Sequence, residues 1–195
     1  LGRTFVSAKM CTVKCMLWIA SVCMLLAAIG EILSCAAPYW AFDGVHYVGL
    51  WKYGRCLYDH KMCYGIWDHV EYFAEDWLKA VRGLECLALI FLALPLVVLP
   101  VYMYVALGLY YRCMLGSMAI CCLLSAVCCL AGVIVYGVQV TSMDWDTSWC
   151  LWVAIVGAGG AFIAFLILTI ATLTKRPETV TKCDKIHMYT IYAES

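Results

Sequence analysis

Fourteen cysteines, four histidines and thirteen acidic side chains are the groups in this 195-residue chain that could do chemistry. Their positions restrict what that chemistry can be. Cys56 and Cys63 alone lie well inside the long segment between the first two apolar runs. In an oxidising exterior, two cysteines so close in sequence form a disulfide that closes a small loop and pins a hairpin. A zinc site using His60 is the alternative, but no second pair of ligands lies nearby to complete four-coordination. Cys121, Cys122, Cys128 and Cys129 fall within an apolar run, where cysteine acts as a small hydrophobic residue. Cys11, Cys15 and Cys113 border the expected inner membrane face, a position suited to reversible palmitoylation. His46, His60, His69 and His187 are scattered through polar segments and read as solvent-exposed. No nucleophile elbow, phosphate-binding glycine loop, metal-ligand cluster or flanking carboxylate pair is visible, so no catalytic residue, cofactor or metal is assigned.

One group of charges stands out because it interrupts apolar sequence. Glu31 lies six residues before Ala37, the end of the first run, about 9 Å inside it at 1.5 Å per residue. Arg82 opens the second run, and Glu85 follows on the same helical face. An acid or base at mid-span costs about 2.5–3.5 kcal/mol and is usually paired or lines a cavity. Glu31, Arg82 and Glu85 are therefore expected to form an intramembrane charge cluster, the arginine fork neutralising one of the acids. The alternative is a protonated Glu31, because burial disfavours the charged form.

The elements that must position these groups follow from composition. Hydrophobic residues make up 66% of the chain and charged residues 13%, about half the charged share of a soluble domain. Too little polar surface exists to cover a core of this size, so apolar surface faces lipid. Residues 17–37, 84–104, 113–138 and 149–173 each reach the ~20 residues that cross a hydrocarbon slab. The first is too long for a signal-peptide core and reads as a retained signal anchor. The connecting segments are 38–83, 105–112 and 139–148, followed by the tail 174–195. Segments 1–16, 105–112 and 174–195 hold eight basic and three acidic residues, whereas 38–83 and 139–148 hold five basic and eight acidic ones. The positive-inside rule then puts both termini in the cytoplasm. Net charge is zero, which gives no reason to expect nucleic acid as a partner; the bilayer is the expected one. Pro95 and Pro100 should bend the second span. Gly157, Gly160, Ala161 and Ala164 allow close helix packing, within the chain or across a dimer face.

In the long loop, Ala41 to Tyr53 is rich in aromatic and branched residues broken by Asp43-Gly44, and reads as short strands with a turn. Cys56 to Tyr64 reads as a second hairpin. From Trp67 to Arg82, Val70, Phe73, Trp77 and Val81 recur at helical spacing, which predicts an amphipathic helix leading into the second span. The expected fold is an all-α membrane bundle of four spans, capped by a small extracellular antiparallel sheet and a short extracellular helix.

The loop holds Trp40, then Gly49-Leu50-Trp51, then Cys56 and Cys63, then Arg82 at the entrance to the second span. This pattern resembles the claudin superfamily, which includes claudins, peripheral myelin and epithelial membrane proteins, and stargazin-type subunits; the motif is most similar to that of claudins. Lys79 to Arg82 is similar to both claudins and stargazin-type subunits, whereas Trp77-Leu78 and the short gap from Trp40 to Gly49 are similar to the myelin branch. Four residues separate Trp51 from Cys56, where claudins usually have two, and the second outer loop is much shorter. The chain contains no asparagine, so it lacks the glycosylation sequon frequent in the myelin branch. Its last residue, Ser195, is not the hydrophobic one that junction scaffolds capture.

The resemblance implies a structural protein of cell–cell contacts at the plasma membrane and not an enzyme. It implies lateral assembly of like chains, or of related family members, into a paracellular barrier or pore of the tight-junction kind. Asp59 and Lys61 take the place of the pore-facing charges, and their mixed signs imply no strong ion selectivity. The second implied reading is an auxiliary subunit that packs against an ion channel and modulates it.

Overall fold

The computed structural model describes the backbone over residues 2–57, 62–66, 76–105 and 111–174, with side chains over 15–55, 76–101 and 113–174. Four long helices dominate it: α1 (Gly2–Ala36), α2 (Asp76–Val105), α3 (Tyr111–Ser142) and α4 (Trp149–Leu173). All four are long and apolar enough to cross a membrane. Large apolar side chains such as Val156, Leu173 and Trp152 remain mostly exposed on their outer faces, as a surface solvated by lipid requires.

α1 packs on α4, α4 on α3 and α3 on α2, with a lighter contact between α1 and α2. The α1–α4 seam is close because its residues are small. A Cβ on Gly160 would lie 3.2 Å from the Ala27 Cβ, and Ala161 and Ala164 are wholly buried. The small-residue stripe thus serves packing within the chain. Two apolar cores fill the bundle. One, distant from the sheet, includes Met24, Leu92, Leu115, Cys122 and Leu168. The other, beneath the sheet, includes Trp40, Leu50, Leu78, Cys129, Tyr136 and Ala154.

The sheet is antiparallel throughout, in the order β4-β3-β2-β1-β5. Its strands are β1 (Ala41–Phe42), β2 (His46–Val48), β3 (Tyr53–Leu57), β4 (Met62–Ile66) and β5 (Asp146–Thr147). The turn at Asp43-Gly44 is present, closed by the Asp43 N–H on the His46 carbonyl at 3.0 Å, with Gly44 at φ +83. That φ is the left-handed region that glycine enters without a steric penalty. β3 begins at Tyr53, three residues before the expected hairpin, because its first residues pair with β2 as well as with β4. β5 was not legible beforehand; it comes from the short α3–α4 connection and pairs with β1.

The expected short helix before the second span is not a separate element among the described residues. From Asp76 onward the chain is already α2, and Trp77 and Val81 belong to its first turns; residues 67–75 lie outside the described set. Pro95 and Pro100 both fall inside α2, which continues past them to Val105.

Candidate functional site: the clamp between sheet and bundle

The sheet is fastened to the bundle through the segment that leaves α1. Chain reversal after Ala36 brings Trp40 back over the helix end, and its indole Nε1 donates to the Ser34 carbonyl at 2.7 Å. The ring is wholly buried and meets the Tyr136 ring edge-on with centroids 4.9 Å apart, a preferred aromatic geometry. Trp77 of α2 meets Tyr136 from another side at 5.7 Å. Tyr136 in turn donates its hydroxyl to the Val48 carbonyl at 3.2 Å, the same oxygen that takes the Trp40 N–H at 3.0 Å. One carbonyl of β2 therefore joins α3 and the α1–β1 connection.

The Gly49-Leu50-Trp51 run forms the next part of the clamp. Gly49 donates its N–H to the Lys52 carbonyl at 2.8 Å, closing a tight turn. A Cβ at Gly49 would stand 2.5 Å from the Pro38 Cα, so the two backbone segments can be this close only with glycine there. Leu50 is fully buried, whereas Trp51 is 42% exposed. Its Nε1 donates to the Cys35 Sγ at 3.3 Å. Trp40 and Leu50 thus anchor the sheet from inside, and Trp51 lies over the rim.

Arg82 completes the clamp from α2. Its Nε donates to the Leu50 carbonyl at 2.6 Å, and its guanidinium lies 5.3 Å from the centre of the Trp51 ring, within cation–π range. The expected pairing of Arg82 with Glu31 or Glu85 is not formed. No ion pair involves Arg82 among the described residues; its Nη2 has no hydrogen-bond partner. The physical reason is competition: the second turn of α2 holds Arg82 beside a loop carbonyl, which takes its Nε–H, and the Trp51 face, which meets its guanidinium. The two acids of the expected cluster are instead buried together without it. Glu31 is 0% exposed and Glu85 1%.

The second connection locks the same region. Ser148 N–H donates to the Trp40 carbonyl at 2.9 Å and Cys150 N–H to the Tyr39 carbonyl at 3.2 Å, so the start of α4 and the residue before it hold the segment that leads from α1 into β1. At the sheet's centre the Tyr47 ring lies across Gly54 on the neighbouring strand, filling the space a Cβ would need. Tyr47 is buried in that contact, and burial raises the pKa of its phenol.

Cys56 and Cys63 occupy directly opposed positions of β3 and β4; their side chains lie outside the described residues, as do His60, Asp59 and Lys61. So does the side chain of Cys11. Cys15 and Cys113 are both exposed, near the bundle end away from the sheet. Among the described residues no group of three or more His, Cys, Asp or Glu side chains is arranged to hold a metal.

Fold and clamp define a class: a four-helix membrane protein with a small antiparallel sheet fastened over one end of the bundle. No protein-family model matches the chain, and no curated protein matches its sequence.

Proposed function

We propose that the chain is a claudin-like structural protein of the plasma membrane that acts at cell–cell contacts, assembling side by side so that neighbouring sheets form a barrier or pore rim. The observation that carries this reading is the convergence of Trp40, Gly49, Leu50, Trp51 and Arg82 on one junction. These are the residues of the claudin-like motif, and here each has a distinct mechanical task in holding the sheet to the helices. A sheet presented rigidly at the membrane surface is suited to edge or face contacts with a second copy. In this reading the sheet faces outside and both termini face the cytoplasm. Cys56 and Cys63, opposed in register, form a disulfide across the outer hairpin, and Asp59 and Lys61 at its tip line the pore. Cys11, Cys15 and Cys113 then take palmitoyl groups at the inner face.

A second reading is an auxiliary subunit of an ion channel, and one observation favours it. The α3–α4 connection is short and turns inward to pair with β1, so little of it projects toward an opposing cell. Expression in non-adherent cells separates the two. Strands in freeze-fracture replicas and cell clustering support the contact protein. Dispersed particles together with co-purification of a channel support the auxiliary subunit and overturn the first reading.

A further inference from the structure

Between the two apolar cores the bundle contains a polar layer that the clamp does not use. Glu31 of α1, Glu85 of α2 and Ser125 of α3 are all at most 1% exposed. Ser125 Oγ lies 3.4 Å from Glu31 Oε1 and links the first and third helices. Glu31 Oε2 has no hydrogen-bond partner, Glu85 has at most the weak donor of the Cys129 thiol, and a charge on Glu31 would act on Glu85. Glycine on the neighbouring helices makes room for both side chains. A Cβ at Gly132 would stand 2.8 Å from Glu85 Oε1, and one at Gly157 would stand 3.2 Å from Glu31 Cγ.

Among the described residues no ion pair involves either acid. α1 contributes Cys35 near both acids and, one turn from Glu31, Ser34, whose buried hydroxyl has no hydrogen-bond partner. α2 contributes Cys86 and Arg82, the latter engaged with Leu50 and Trp51. α3 contributes Ser125 and Cys129, whose thiol lies 3.5 Å from the Ala154 carbonyl and also reaches Glu85, and α4 brings Gly157 against Glu31. An ionised carboxylate is an acceptor with no hydrogen to give. Two of them side by side, out of water and short of donors, would carry both a desolvation cost and mutual repulsion. A calcium-like ion takes 6–8 oxygens, more than two carboxyls and one hydroxyl supply. A proton needs neither a cavity nor further ligands, and it turns one acid into the donor that the unpartnered oxygens lack.

We propose that Glu31 and Glu85 form a proton-binding site inside the bundle, the pair holding at least one proton at neutral pH and joining α1, α2 and α3 through uncharged carboxyl groups. The site does not depend on which role the sheet plays. Unfolding releases the proton to water, because a solvated glutamate is ionised at neutral pH. Above about pH 4.3, where a solvated glutamate ionises, only the folded chain holds this proton, so the stability the site contributes is full below that pH and falls steadily as pH rises until the folded site itself is stripped.

Infrared spectroscopy of the full chain in lipid nanodiscs, with its glutamates carbon-13 labelled at the carboxyl, tests this without any substitution. The expected result is a label-shifted carbonyl band of a protonated acid at neutral pH that fades only under alkaline conditions. Glu31→Gln and Glu85→Gln should each weaken it, and the double variant should abolish it along with the fall in melting temperature as pH rises above about 5. A wild-type spectrum with no such band at neutral pH overturns the proposal. So does a band that survives the double variant, or one that appears only after a chelator has stripped a metal ion. Where the glutamine variants fail to insert, the labelled wild-type titration decides.

Discussion

Trp40 gives its indole N–H to the carbonyl of Ser34, six residues earlier in the chain, while its ring lies against Tyr136 of α3. The helix that ends before Trp40 thus has one of its last-turn carbonyls satisfied by the side chain that starts the sheet. Trp40→Phe keeps the ring and removes the donor. It should cost about 0.5–1.5 kcal/mol, the net worth of a neutral hydrogen bond, whereas Trp40→Ala should cost about 3–5 kcal/mol. Denaturant titration in detergent micelles, read by intrinsic fluorescence, checks the ratio.

Arg82 acts through a loop carbonyl and an indole face, so its contribution should be independent of the buried acids. Arg82→Lys should cost about 1.5–3 kcal/mol, the range for a charged hydrogen bond. The same loss should appear in a Glu31→Gln/Glu85→Gln background, since groups with no shared contact are additive within about 0.5 kcal/mol. A thermodynamic cycle showing strong coupling would restore the ion pair and contradict this account.

Tyr47 and Gly54 are paired across β2 and β3, and the ring occupies the space of the missing side chain. Gly54→Ala should therefore destabilise the sheet by about 1–3 kcal/mol, the range for overpacking. In a Tyr47→Ala background the same change should be nearly neutral. Limited proteolysis of the sheet, scored in both backgrounds, tests the pairing.

Gly49 tolerates no side chain where its Cα faces the Pro38 backbone at the mouth of α1. Gly49→Ala should displace the turn and break the Arg82–Leu50 bond with it. Surface delivery in transfected cells should fall below that of the Gly83→Ala variant, since a Cβ at Gly83 meets nothing within 4 Å.

Cys56 and Cys63 are backbone partners in the register of β3 and β4. If they are bonded, Cys56→Ser, Cys63→Ser and the double variant should lose equal stability, typically about 2–4 kcal/mol. Alkylation of intact cells should leave both thiols of the wild type unmodified. Modification at either one would remove the disulfide from the proposed external hairpin.

The four spans were legible because each is a run of apolar residues long enough for a bilayer, and composition left no other solvent for them. The hairpin turn at Asp43-Gly44 was legible for an equally local reason, the turn chemistry of that pair. What the sequence could not reveal depends on partners distant in the chain. β5 has only two residues and no strand-like pattern; it exists because β1 presents an open edge to it. Spacing on α2 placed Arg82 and Glu85 on one face and suggested that they would meet. Only the packing of the loop against α2 showed that the Leu50 carbonyl and the Trp51 ring claim the arginine first. Depth along their helices already put Glu31 and Glu85 in one intramembrane cluster, but only the packing of α3 showed that Ser125 joins their layer. Sequence determined which segments leave water; the bundle's packing decided which buried charges would have to be satisfied without a counter-ion.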